Sequence, residues 1–68
     1  MTEDAIASFE EAKKLEPGNA DISYNLGLVY LKVGNKAAAL DAFKKVIEIS
    51  PKSNAAASSM KYIENLLK

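Results

Sequence analysis

The sequence predicts an all-α fold of four antiparallel helices, and three observations predict it. Proline and glycine fall almost entirely at Pro17-Gly18, at Gly34 and at Pro51, where they punctuate longer runs. Those runs are built mainly from Ala, Leu, Ile, Glu and Lys, residues a helix accepts at little cost. No stretch shows the period-two alternation of a half-buried strand. Helices follow at residues 2–16, 20–33, 36–49 and 54–67, and the short loops between them make successive helices neighbours.

Each element has a local cause. Thr2 is positioned to cap the first helix, and Glu3 and Asp4 place negative charge at its positive dipole end. Pro17 cannot continue that helix; Gly18-Asn19 turns the chain and offers the next N-cap. Gly34 suits the left-handed residue beyond the C-terminus of the second helix, and Asn35 can cap the third. Pro51 stops the third helix, and Ser53 or Asn54 caps the fourth.

The chain also repeats itself, its second half lying on its first. At the offset where Ala5 meets Ala39, Phe9 meets Phe43 and Pro17 meets Pro51. Ile6 meets Leu40, Ala12 meets Val46 and Leu15 meets Ile49. The other helix pair is looser, with Leu26 on Met60, Val29 on Ile63 and Val33 on Leu67. Residue class is kept at the apolar positions and at the punctuation.

These residues resemble the tetratricopeptide repeat family, whose 34-residue unit is two antiparallel helices, A then B. Tyr24-Asn25-Leu26-Gly27 and Tyr30 match helix A, Gly34 the inter-helix turn, and Ala39-Leu40, Phe43, Val46 and Pro51 helix B. Ser23 stands where the family often has Trp, Val46 replaces Ala, and Lys61 replaces the helix-A glycine. The resemblance covers the whole chain as a single domain, residues 1–68, in the order B–A–B–A. Residues 1–18 are helix B of an incomplete repeat, 19–53 a complete repeat and 54–68 a capping helix. It implies a right-handed α-solenoid.

The residues add their own reading. Gly27 lies mid-helix, which costs about 1 kcal/mol against Ala, so a neighbouring helix should approach closely there, with small Ala39 as the facing residue. Phe9 and Phe43 read as core aromatics. Helix 20–33 is apolar around most of its circumference and should be the centre of the domain. On helix 54–67, Ala56, Met60, Tyr62, Ile63, Leu66 and Leu67 form the apolar half, and Ser58, Lys61, Glu64, Asn65 and Lys68 the polar half. Lys61 then opposes further stacking, as a terminal repeat requires.

Composition narrows the function. The 68 residues include no Cys, His, Trp or Arg, and nine lysines balance nine carboxylates. That removes thiolate and imidazole metal sites and Ser–His or Cys–His nucleophile pairs, and no cofactor or metal is expected. A net charge of zero argues against nucleic-acid binding. No apolar run is long enough to insert in a membrane, and the acidic start lacks the order of a signal peptide, which favours a cytoplasmic setting. Carboxylates such as Glu10, Glu11, Asp41 and Glu48 lie one turn from lysines. Glu10 with Lys13 or Lys14, and Asp41 with Lys44 or Lys45, read as ordinary surface pairs and not as catalytic groups. An enzyme is not expected.

Two binding readings remain. The resemblance implies a concave face, lined by A helices, that holds a peptide or a partner helix. Its positions fall on Asp21, Tyr24, Asn25, Leu28, Leu31 and Lys32, and on Ser58, Tyr62, Asn65 and Leu66 of the last helix. This mixture suits an apolar or amphipathic ligand. The carboxylate clamp of chaperone-tail-binding members is not supported, since Tyr24, Ala55 and Ser59 stand where its cations belong. The alternative is a homodimer through Ala5, Phe9 and Ala12 of the first helix, which lack the helix A that would cover them.

Overall fold

The computed structural model describes residues 2–68, Thr2 by its backbone alone. It contains α1 (Thr2–Leu15), α2 (Ala20–Lys32), α3 (Lys36–Ile49) and α4 (Asn54–Leu66), and the described residues include no strand. The expected Thr2 cap lies outside the described side chains.

The other caps are made by side chains. Asn19 Oδ1 accepts the Asp21 N–H at 3.0 Å, and Asn35 Oδ1 accepts the Ala38 N–H at 3.1 Å. Ser53, and not Asn54, caps α4: its Oγ accepts the Ala56 N–H at 3.0 Å and donates to the Ser50 carbonyl at 2.8 Å. Each cap satisfies a donor that the first helical turn leaves unpaired. At the end of α2, Gly34 takes φ +81°. The Gly34 N–H donates to the Leu31 carbonyl at 3.1 Å and the Asn35 N–H to the Tyr30 carbonyl at 2.9 Å, the paired bonds of a Schellman motif.

Backbone structure repeats as the sequence does. The offset that lays Ala5 on Ala39 also carries the bounds of α1 onto those of α3, and the bounds of α2 onto those of α4. The last turns also correspond. Val33 and Leu67 have φ −88° and −90°, and their N–H groups donate to Val29 and Ile63 at 3.1 and 3.0 Å.

Packing follows chain order, α1 on α2, α2 on α3 and α3 on α4, with one further contact, α2 on α4. Helix α2 therefore touches the other three, as its nearly all-round apolar surface requires. Among the described residues, α1 touches neither α3 nor α4. The Cα positions span 27 × 25 × 15 Å. The thin dimension is that of two helix layers packed about 8–10 Å apart.

The core sits where α2, α3 and α4 meet, at Leu26, Ala39, Phe43, Val46 and Ala56. Phe43 is its centre. Its ring stacks on Tyr62 at 4.8 Å with an interplanar angle of 7°, and Tyr24 meets it edge-on at 5.8 Å.

Two expectations are corrected by this packing. The group nearest Gly27 is the Phe43 ring rather than Ala39: a Cβ on Gly27 would lie 2.6 Å from Phe43 Cε1. The glycine makes room for that ring. On α4, Met60 and Leu67 were expected on the covered half but are 45% and 67% exposed, while Ala56 and Ser59 are fully buried. Helix α4 lies on α2 and α3 together, and the small residues at 56 and 59 let it approach closely. The contact stripe is centred on those small residues and not on the largest apolar ones.

Candidate partner-binding groove

Helices α2 and α4 lie side by side because each packs on α3, and this brings Tyr24 and Tyr62 together over Phe43. The two tyrosine rings are 6.3 Å apart and tilted by 58°. Both residues are half-buried, held by the core on one side and open on the other. Beside them lies a cavity of about 180 Å³ lined by Tyr24, Ser58, Lys61, Tyr62 and Asn65.

Four of these five residues belong to the expected concave face. Lys61 is the addition. The repeat alignment lays it on Gly27, where it is expected to oppose further stacking, yet it lies three positions after Ser58 and four before Asn65, so helical spacing alone puts it beside them. The remaining expected positions are not part of this cavity. Leu28, Leu31 and Leu66 are half-buried and line no part of it, and Asn25 and Lys32 are exposed along the α2 surface. Asp21 lines a separate hollow of about 340 Å³ near Ile49 and Ser50, where the α1–α2 and α3–α4 loops come together. The groove is thus shorter than the sequence suggests.

Chemically, it offers two phenol rings for apolar contact and a hydroxyl and a carboxamide for hydrogen bonds, with one ammonium at its edge. No carboxylate lines it. Among the described residues no cluster of acidic side chains could hold a metal ion, and no helix is long and apolar enough to cross a membrane.

Over residues 1–68 the sequence matches the family model described as Regulator of microtubule dynamics protein 1-3. The chain belongs to that family. The matching model is not a tetratricopeptide one, and no curated protein matches the chain. What family membership adds to the geometry is a helical framework over residues 1–68.

On the other side of this framework, Ala5, Phe9 and Ala12 remain partly exposed on α1. Their repeat counterparts on α3, Ala39, Phe43 and Val46, are completely buried. The difference is one of neighbours: α3 is covered by α2 and α4, whereas α1 has α2 alone.

A contact absent from the sequence reading joins α1 to α2. The Tyr30 hydroxyl donates to Glu10 Oε2 at 2.5 Å, while Glu10 Oε1 lies 3.9 Å from Lys13. That hydrogen bond, then burial, then the Glu10 charge raise the Tyr30 pKa above its ordinary value. Glu10 is therefore more than a surface partner for lysine. Asp41, expected to pair with Lys44 or Lys45, does neither. Lys45 reaches Glu48 at 3.5 Å instead, which leaves Asp41 unpaired among the described residues.

Proposed function

We propose that this chain is a non-catalytic protein-interaction module, a tetratricopeptide-like right-handed solenoid entered at helix B, that holds an extended peptide or partner helix in the groove between α2 and α4. The observation that carries this reading is the pair of half-buried tyrosines from adjacent helices beside an open cavity. Support for the repeat architecture comes from helix bounds that recur at the offset of the sequence repeat. The contact between α2 and α4, without one between α1 and α3, supports it too.

The lining selects its ligand by chemistry. An apolar side chain lies against Tyr24 and Tyr62, the ligand backbone bonds to Ser58 and Asn65, and Lys61 favours a carbonyl or carboxylate nearby. The family name refers to microtubule dynamics, so microtubules are the first assembly to test as a partner.

The test is selection of peptides from a displayed random library against the wild-type chain, with microtubule co-pelleting in parallel. Asn65 is exposed, so Asn65→Trp blocks the groove without disturbing the core. Selected peptides should be rich in apolar residues and lose roughly tenfold or more in affinity for this variant and for Tyr24→Ala. Binding undiminished in both variants would refute the groove.

A second reading is self-association through α1, favoured by the partial exposure of Ala5, Phe9 and Ala12. Sedimentation across a concentration series decides it. A dimer should dissociate on Phe9→Glu, and a wild-type chain monomeric throughout the series would sink the idea.

A further inference from the structure

A cavity larger than the groove lies elsewhere in the fold. Because α1 and α3 do not touch, a cleft of about 400 Å³ opens between them, floored by α2. Leu26 and Tyr30 form the apolar part of that floor, and Ala38 and Ala42, four apart on α3, make one wall nearly free of side-chain bulk. Ser23 also lines it. This residue is only 2% exposed, and its hydroxyl makes no hydrogen bond to another described residue. A larger side chain at position 23 would fill the cleft; serine leaves it open with a hydroxyl at the bottom.

Charge decides what the cleft accepts. Four ionised groups line it, Glu10, Lys13, Asp41 and Lys45. Lys13 is neutralised by Glu10 at 3.9 Å and Lys45 by Glu48 at 3.5 Å. The Asp41 carboxylate is in no salt bridge among the described residues, so it is the lining charge left free to meet a ligand beside the apolar floor. Glu10 accepts one hydrogen bond from Tyr30 and retains lone pairs for a further donor.

We infer that the cleft between α1 and α3 receives an arginine side chain of a protein partner. Its aliphatic stem packs on the two alanines, its guanidinium plane lies against the Tyr30 ring, and its fork of N–H donors is taken by Asp41 and the Ser23 hydroxyl. A carboxylate ligand offers no donor to Asp41, and an uncharged apolar side chain leaves Asp41 and Ser23 unanswered. The site uses Ser23, Leu26 and Tyr30 of α2, whereas the groove uses Tyr24, so the two can be occupied and abolished independently.

The experiment is an amide ¹H–¹⁵N titration of the full chain with N-acetyl-arginine methylamide, and with the norleucine and glutamate analogues as controls. The arginine probe should give saturable shifts at Ser23, Ala38 and Ala42 in the millimolar range, with the controls far weaker. Asp41 is exposed, so Asp41→Asn folds as wild type and should weaken arginine binding on the order of fivefold. Ala42→Leu fills the cleft and should abolish the shifts, with helix content checked by circular dichroism. Asn65→Trp should leave them unchanged even if the groove itself proves to bind nothing. Equal affinity for wild type and Asp41→Asn, equal response to norleucine, or shifts confined to the groove would each overturn the assignment.

Discussion

Gly27 and Ser59 are two residues at which the interior departs from simple apolar packing, and they depart in opposite directions. At Gly27 there is no room: an added Cβ would meet three atoms of the Phe43 ring, at 2.6, 2.7 and 2.9 Å. That ring is completely buried and stacked on Tyr62, so it cannot swing aside cheaply. Gly27→Ala gains about 1 kcal/mol in helix propensity but loses about 1–3 kcal/mol to overpacking. We expect a net loss, read as a lower urea midpoint; an unchanged midpoint would mean that the ring moves. At Ser59 the fault is chemical. Its Oγ is buried without a hydrogen-bond partner, because α4 packs on both α2 and α3, while Asn25, its repeat counterpart on α2, remains exposed. A buried unpaired hydroxyl costs about 1–3 kcal/mol, and alanine removes it while improving helix propensity. Ser59→Ala should therefore raise the urea midpoint by an amount equivalent to about 1 kcal/mol or more, an outcome a hidden hydrogen bond at this hydroxyl would reverse.

Among the elements, α1 is the most weakly held, since it packs on α2 alone and is tied to it by the Tyr30–Glu10 hydrogen bond. Tyr30→Phe keeps the ring and deletes the hydroxyl. Amide hydrogen exchange should then accelerate across residues 5–15 while α3 and α4 stay protected. The same bond gives α1 an alkaline limit. Tyr30 has its pKa raised above 10.0 in the folded chain, so the neutral phenol is the form that folding favours. Its contribution is complete below the unfolded value near 10 and is lost as pH rises through the higher folded value. Thermal stability should fall more steeply above pH 10 in wild type than in Tyr30→Phe. Helix bounds were legible in the sequence because Asn19, Asn35, Ser53 and Gly34 act within a few residues of themselves. The covered face of α4 was not, because apolarity points to Met60 and Leu67, while close contact between helices selects Ala56 and Ser59. Nor was Glu10–Tyr30, a bond across 20 residues that exists only once α1 lies on α2. The groove was legible in part: helical spacing grouped Ser58, Tyr62 and Asn65, but its length depends on how closely α2 and α4 lie.

For the molecule as a whole, a slab two helices thick has a single place where three helices converge, and Phe43 occupies it. Sequence repetition makes Phe9 its equivalent, with the same residue type at the same helical position. Packing makes them unequal, because Phe43 is sealed by α2 and α4 and Phe9 touches a structure open on one side. Truncating a sealed phenylalanine costs about 3–5 kcal/mol, and a chain of this length is stable by only about 3–10 kcal/mol in total. Phe43→Ala should leave the protein largely unfolded or barely folded at 25 °C, visible as lost helical circular dichroism or a urea midpoint close to zero. Phe9→Ala removes a partly buried ring and should cost under about 2 kcal/mol, with the cooperative transition preserved. If the two variants instead lost equal stability, α1 would have to be covered in solution by a second molecule. Dilution would then expose that cover, since the cost of Phe9→Ala would shrink with protein concentration while that of Phe43→Ala would not.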